Sequence, residues 1–236
     1  MKRIALRRLP AAIPALFILC VCHVTSLAQG ARLSLMVEPV SYERAVALGD
    51  TLQADAHDYF ITDLLKFYLS GICLLQDDSL VWTDPQSGHL YDLSEPKPFE
   101  LDLPQTLAYN TIRFYVGIDS ITNVSGAMGG DLDPVKGMYW SWQSGYINFK
   151  AEGRSSACNN PKKEFQLHLG GYMAPDKALQ EVSLRVPQKP VVCLQFDLLR
   201  FLQTSDLQKR SHLMSPGPAA VKLSGVAAQC FKTKAL

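Results

Sequence analysis

GGDLDPVKGMYWSWQSGYINFKAEGRSSACNNPKKEFQLHLGGY, residues 129–172, carries the densest set of strand and turn signals in the chain. It combines a turn-rich entry, two tryptophans two residues apart and a histidine inside a short apolar run. If residues 138–143 form a strand, side chains two apart share a face, which sets Trp140 and Trp142 about 7 Å apart along one side. Bulky residues hold the even positions up to Trp142 (Met138, Trp140, Trp142) and the odd ones after Gly145 (Ile147, Phe149, Ala151). One inserted residue near Ser144 and Gly145 returns both halves to one face, so the pattern predicts a bent strand with a β-bulge there. Further on, Phe165, Leu167 and Leu169 alternate with Gln166 and His168, a strand with one wholly apolar face that Gly170 and Gly171 end.

The flanking sequence repeats this theme of short strands and turns. Residues 32–42 (RLSLMVEPVSY) alternate as a strand, and residues 66–75 form a second whose near-continuous apolar character implies burial on both faces. Residues 80–93 read as short extended pieces, and Pro96, Pro98 and Pro104 make 95–106 an edge strand or loop. TIRFYVGI (111–118) is rich in β-branched and aromatic residues and reads as a strand, followed by a long glycine- and aspartate-rich loop over 119–134. Within that loop Asp131 and Asp133 offer two carboxylates, too few for calcium, so turn chemistry is the better reading. Residues 181–186 and 191–196 are further strands; DLLRFLQ and residues 216–229 are short helices, the second with Ser215 as expected N-cap and prolines in its first turn. The expected fold class is therefore all-β, an antiparallel β-sandwich or flattened barrel with short helices near the C-terminus.

Residues 1–28 read as a secretory signal peptide: Lys2, Arg3, Arg7 and Arg8, an apolar core, then Ser26-Leu27-Ala28 with cleavage after Ala28. The mature chain, expected as one domain over 29–236, keeps 19 basic against 22 acidic residues, a formal charge of −3. That balance excludes a basic footprint for nucleic acid or anionic membrane. Cys73, Cys158, Cys193 and Cys230 remain, an even number in an oxidising compartment, so two disulfides are expected, with three pairings open.

Conventional catalysis finds little support. There is no G-x-S-x-G, phosphate loop or dinucleotide fingerprint, and no enzyme activity is expected. His57, His89, His168 and His212 stand one at a time, never in H-x-H or H-E-x-x-H spacing. His168 stands out on the polar side of an otherwise apolar strand, and His212 because Met214 follows it, imidazole plus thioether being a donor set that favours copper. Trp140 and Trp142 have an ordinary role as core fillers, and an intact indole offers a metal only an N–H donor, no lone pair.

The runs LKFYLSGI (65–72), SGAMGGDLDPVKGMYWSWQSGYINFKAEG (125–153), FQLHLGGY (165–172) and HLMSPGPAAV (212–221) together resemble the MbnP-like family of exported copper-binding proteins. The resemblance implies a periplasmic or secreted β-rich protein that binds copper through histidines and a kynurenine made oxidatively from tryptophan. A dihaem enzyme of the MauG type, related to the cytochrome c peroxidases, is the implied partner. Carried onto this chain, Trp140 or Trp142 is the modified position, His168 the imidazole nearest in motif, and His212 or His89 a second, with Met214 beside it. The close histidine of the methanotroph proteins has no counterpart here, since the residue two after Trp140 is another tryptophan, Trp142. The alternative reading is a non-catalytic cell-envelope module of the same fold without metal.

Overall fold

The computed structural model describes residues 30–55, 57–143 and 145–234. The expected signal peptide lies outside them. In chain order the strands are β1 (Ala31–Ser41), β2 (Arg44–Ala45), β3 (Thr51–Gln53), β4 (Tyr59–Gln76), β5 (Ser79–Thr83), β6 (His89–Asp92), β7 (Phe99–Leu103) and β8 (Thr111–Val116). They continue as β9 (Tyr139–Trp140), β10 (Gly145–Ser155), β11 (Glu164–Gly170), β12 (Gln180–Arg185), β13 (Val191–Asp197), β14 (His212–Leu213) and β15 (Phe231–Thr233). Three short α-helices, α1 (Ser120–Val124), α2 (Leu198–Thr204) and α3 (Pro218–Ala228), complete the set.

Two sheets enclose the main core. The smaller runs β15-β13-β1-β2, with β7 also paired to β1; the larger runs β12-β8-β4-β10-β11-β14. The fold is the expected all-β one, with a refinement: β1 pairs β13 in parallel, and β14 runs parallel to β11. β4 is the spine of the larger sheet. One of its edges holds β10 and then β8, the other β3, β6 and β5.

The long apolar run of β4 stays in phase with the core through a kink. Leu65, Phe67 and Leu69 face the main core at odd positions, Ile72 and Leu74 at even ones. The change falls at Gly71, whose φ of 54° lies in the left-handed region that favours glycine, and the pairing with β8 shifts register between Ser70 and Cys73. A Cβ there would also sit 2.9 Å from the Tyr115 ring. The other face of β4 is buried too: Tyr68 joins a second, smaller cluster with Ile118, Leu132, Met138, Trp140, Tyr146 and Ile147. Burial on both faces, expected from the sequence, thus has two different causes.

Three local expectations are corrected. Residues 138–143 are not one bent strand: β9 folds back on β10, with Trp140 opposite Gly145 and Tyr139 opposite Tyr146. The parity change near Ser144 is therefore a hairpin turn, and the bulge lies farther on, between Ile147 and Phe149. Gly217, not Ser215, is the N-cap of α3, with Pro218 in its first turn. The loop over 119–134 contains α1, whose N-cap Asp119 accepts from Thr122 N at 2.9 Å, and the 3-10 turn Gly130–Leu132.

The disulfide expectation is also overturned, since Cys73, Cys158, Cys193 and Cys230 are all free thiols. Each has its own surroundings. Cys73 lies by the Arg113 guanidinium and Cys193 by Glu38 and Lys234, while Cys158 and Cys230 are packed in the main core. Burial pushes the Cys230 thiol up to about 12. Thiols so embedded behave as small apolar groups.

Candidate functional site

Residues 119–143 cross the outer face of the larger sheet as a cap, and side chains of the sheet hold it down. Tyr68 Oη donates to Asp131 O at 3.0 Å, and Leu90 N donates to Asp131 Oδ2 at 3.0 Å, so Asp131 serves as a clasp rather than a cation ligand. The Tyr146 hydroxyl accepts from Met128 N at 3.0 Å and donates to Leu132 O at 3.1 Å. Asn123 Oδ1 accepts from Tyr146 N at 2.8 Å, and Asn123 Nδ2 donates back to Ile118 O at 3.0 Å. Two lysines of the sheet reach the cap's carbonyls, Lys66 to Lys136 O and Lys150 to Gly137 O, each at 3.3 Å.

Those lysines belong to a polar row that crosses four strands. Lys66 on β4 pairs with Asp92 on β6 at 2.8 Å. Lys150 on β10 lies 3.4 Å from Glu152 Oε1, and the same oxygen is 2.7 Å from His168 Nε2 on β11. His168 is 4% exposed, and its other ring nitrogen, Nδ1, has no hydrogen-bond partner. It is one of five buried side-chain atoms in that position among the described residues; the others are three hydroxyls and the amide nitrogen of Asn148. Of the five, the imidazole nitrogen alone is a common ligand for transition metals. Burial holds the His168 pKa below its ordinary value, against the pull of the Glu152 hydrogen bond, so the ring is neutral at neutral pH.

Alternation along β11 puts His168 and Gly170 on the cap side, about 7 Å apart. The Trp140 indole lies on Gly170: a Cβ there would stand 2.6 Å from its Cζ3. Trp140 is 6% exposed and Trp142 64%, and their ring centroids are 5.8 Å apart at 46°. The pair thus runs from the small core beside His168 out to solvent. His212 pairs with Gln166 in the parallel β11–β14 register, so it shares the cap side with His168 and lowers that residue's pKa further by charge repulsion. His212 also lines a cleft of about 490 Å³ with Asn160, Lys162 and Glu164. Met214 follows directly after β14, and Pro216 lies against Gly171.

His89 is separate from this group. It pairs with Leu69, a main-core residue, so it faces the opposite side of the sheet, three strands from β11 or about 14 Å. Its Nε2 meets Asp84 Oδ2 at 2.5 Å, its ring packs against Phe99 with centroids 5.1 Å apart, and it borders a different cleft of about 820 Å³. Four of the six candidate residues, Trp140, Trp142, His168 and His212, therefore gather on one side of one sheet margin, with Met214 just beyond the end of β14, and His89 does not. Among the described residues no three His, Cys, Asp or Glu side chains converge as a ready-made metal cage.

Residues 30–215 match the MbnP family model. The chain belongs to the MbnP family. Its fold is similar to the solved structure of MbnP from Methylosinus trichosporium, with a TM-score of 0.56 at 16% identity, covering 81% of this chain and 83% of that one. No curated protein matches the chain. Glu152 and Lys150 are the residues that the sequence did not single out. A signal was present, since both fall on the polar phase of a strand whose other phase is Phe149 and Ala151.

Proposed function

We propose that the chain is an exported copper-binding protein, without turnover of its own, whose site is the β11–β14 margin beneath the cap. The observation that carries the reading is the unpartnered, buried Nδ1 of His168 on the same sheet face as Trp140 and His212. Copper held there would supply a soft cation suited to imidazole and thioether. His168 gives a neutral nitrogen, His212 a second imidazole from the adjoining strand and Met214 a thioether. An intact indole contributes no lone pair. Oxidative opening of Trp140 or Trp142 to kynurenine yields an aromatic amine and a carbonyl, and with them a further ligand. Trp140 rests on Gly170, two residues along β11 from His168; Trp142 is the one that an external oxidant reaches, and the implied oxidant is a dihaem enzyme of the MauG type. Copper titration of the mature protein, as purified and after oxidation, tests this together with Trp140→Phe and Trp142→Phe. Stoichiometric binding that one of the two substitutions abolishes is the expected result, and no binding in either state removes the role.

A second reading is favoured by the packing of Trp140 in the small core and by the lack of three converging His, Cys, Asp or Glu groups among the described residues. On that reading the protein is a cell-envelope module that keeps the fold without metal. Trp140→Phe and His168→Gln then change stability and no ligand affinity. Detection of a native kynurenine by intact-mass and peptide analysis excludes it.

A further inference from the structure

We infer that Glu152 is a positioning residue that fixes the His168 imidazole as its Nε2–H tautomer and so makes Nδ1 the atom offered to a ligand. The identity of that ligand as copper rests on the function proposed above; the tautomer does not.

The geometry begins with the sheet register. Across β10 and β11, Lys150 stands opposite His168 and Glu152 opposite Gln166. Glu152 therefore reaches His168 diagonally, one of the standard side-chain contacts on a sheet face. Its Oε1 is 2.7 Å from His168 Nε2 and 3.4 Å from the Lys150 ammonium. A carboxylate facing an ammonium group is an acceptor, so the proton in the hydrogen bond belongs to Nε2. The opposite orientation of the ring would set a carbon, Cε1, against the carboxylate and lose the bond. With Nε2 as donor and the ring neutral, Nδ1 carries the lone pair. That lone pair is buried and meets no donor from the protein.

The arrangement is also braced from outside the sheet. Lys150 donates to the cap carbonyl of Gly137, so the cap fixes Lys150, Lys150 holds the carboxylate, and the carboxylate orients the ring. Glu152 is the more exposed partner, with 28% of its side chain accessible against 5% for His168. An isosteric change at Glu152 therefore alters hydrogen bonding without opening the core. This is the relation that an outer carboxylate bears to a ligating histidine in metal proteins generally, where loss of the carboxylate weakens metal affinity about 10–100-fold.

The test uses the mature protein and reads two quantities. In metal-free protein at neutral pH, long-range proton–nitrogen correlation of the imidazole should place the proton of His168 on Nε2. In Glu152→Gln, whose amide donates as well as accepts, the same spectrum should show the second tautomer appearing. The dissociation constant for Cu(I), measured against a competing chelator, should rise about 10–100-fold in Glu152→Gln, with thermal unfolding confirming that the variant is folded. A wild-type proton on Nδ1 overturns the proposal. So does a folded Glu152→Gln with unchanged tautomer and unchanged Cu(I) affinity. Wild-type protein that takes up no Cu(I) overturns the copper reading alone, because the tautomer is read without metal and stands or falls by itself.

Discussion

The two faces of the larger sheet are both buried, yet they are built from different materials. Against the inner face, Phe67 and Phe149 of the larger sheet pack with Phe196 and Phe231 of the smaller sheet and Phe201 of α2, with neighbouring ring centroids 4.8–5.9 Å apart. On the outer face the small core is made of Tyr68, Trp140 and Tyr146 with four aliphatic residues, and its polar tips are tied to cap backbone. Hydrocarbon packing is non-directional and its strength follows area. Hydrogen-bonded packing fixes atoms in place, and an unpartnered atom there is conspicuous. Stability should therefore be concentrated inside and chemistry outside.

The largest effect expected from this division is global. Phe149→Ala removes a ring that touches three others of the inner cluster, and should cost about 3–5 kcal/mol in denaturant unfolding. A cost under about 1 kcal/mol would mean that the inner face is loosely packed and the division wrong. Gly170→Ala is a smaller, local perturbation on the outer face. The new Cβ would stand 2.6 Å from Trp140 Cζ3 and 2.8 Å from Tyr146 O, so the indole must move. Overpacking of this kind costs about 1–3 kcal/mol. The expected signature is a change in tryptophan fluorescence with the unfolding transition still cooperative. Unchanged emission would show that Trp140 does not rest on β11.

The same division explains what could be read from the sequence. Strands with one apolar phase, such as β11 and β13, were legible because the inner face asks only for hydrophobic residues at every second position. The outer face was legible as residue types and not as geometry. Trp140, His168, His212 and Met214 announced themselves by chemistry, but the placing of His212 on the side of His168 depends on β14 running parallel to β11, a long-range pairing with no local pattern. The hairpin at residues 141–143 hid behind a parity change that a bulge mimics equally well. Glu152 looked like an ordinary solvent-facing carboxylate, since its partner lies on the adjacent strand in a register that sequence does not state. The separation of His89 likewise follows from its pairing with Leu69, which turns it to the inner side.

The smallest effect, absent at neutral pH, comes from the outer face alone. Burial keeps the folded pKa of His168 below its ordinary value, so between that depressed value and about 6.5 the unfolded chain holds a proton that the folded chain does not. Stability then rises with pH across this window. The penalty is absent above about pH 6.5, grows as pH falls through the window, and is complete once pH drops under the folded value. Carboxylates act in a lower range: Glu38, held below its usual range by its hydrogen bond to Lys234, begins to lose its contribution only as pH falls under about 4.5. Urea midpoints of metal-free protein between pH 7.5 and 5 should therefore fall in the wild type and fall less in His168→Gln. Parallel curves for the two proteins would mean that His168 takes its proton freely in the folded state, which a sealed and neutral ring under the cap does not allow.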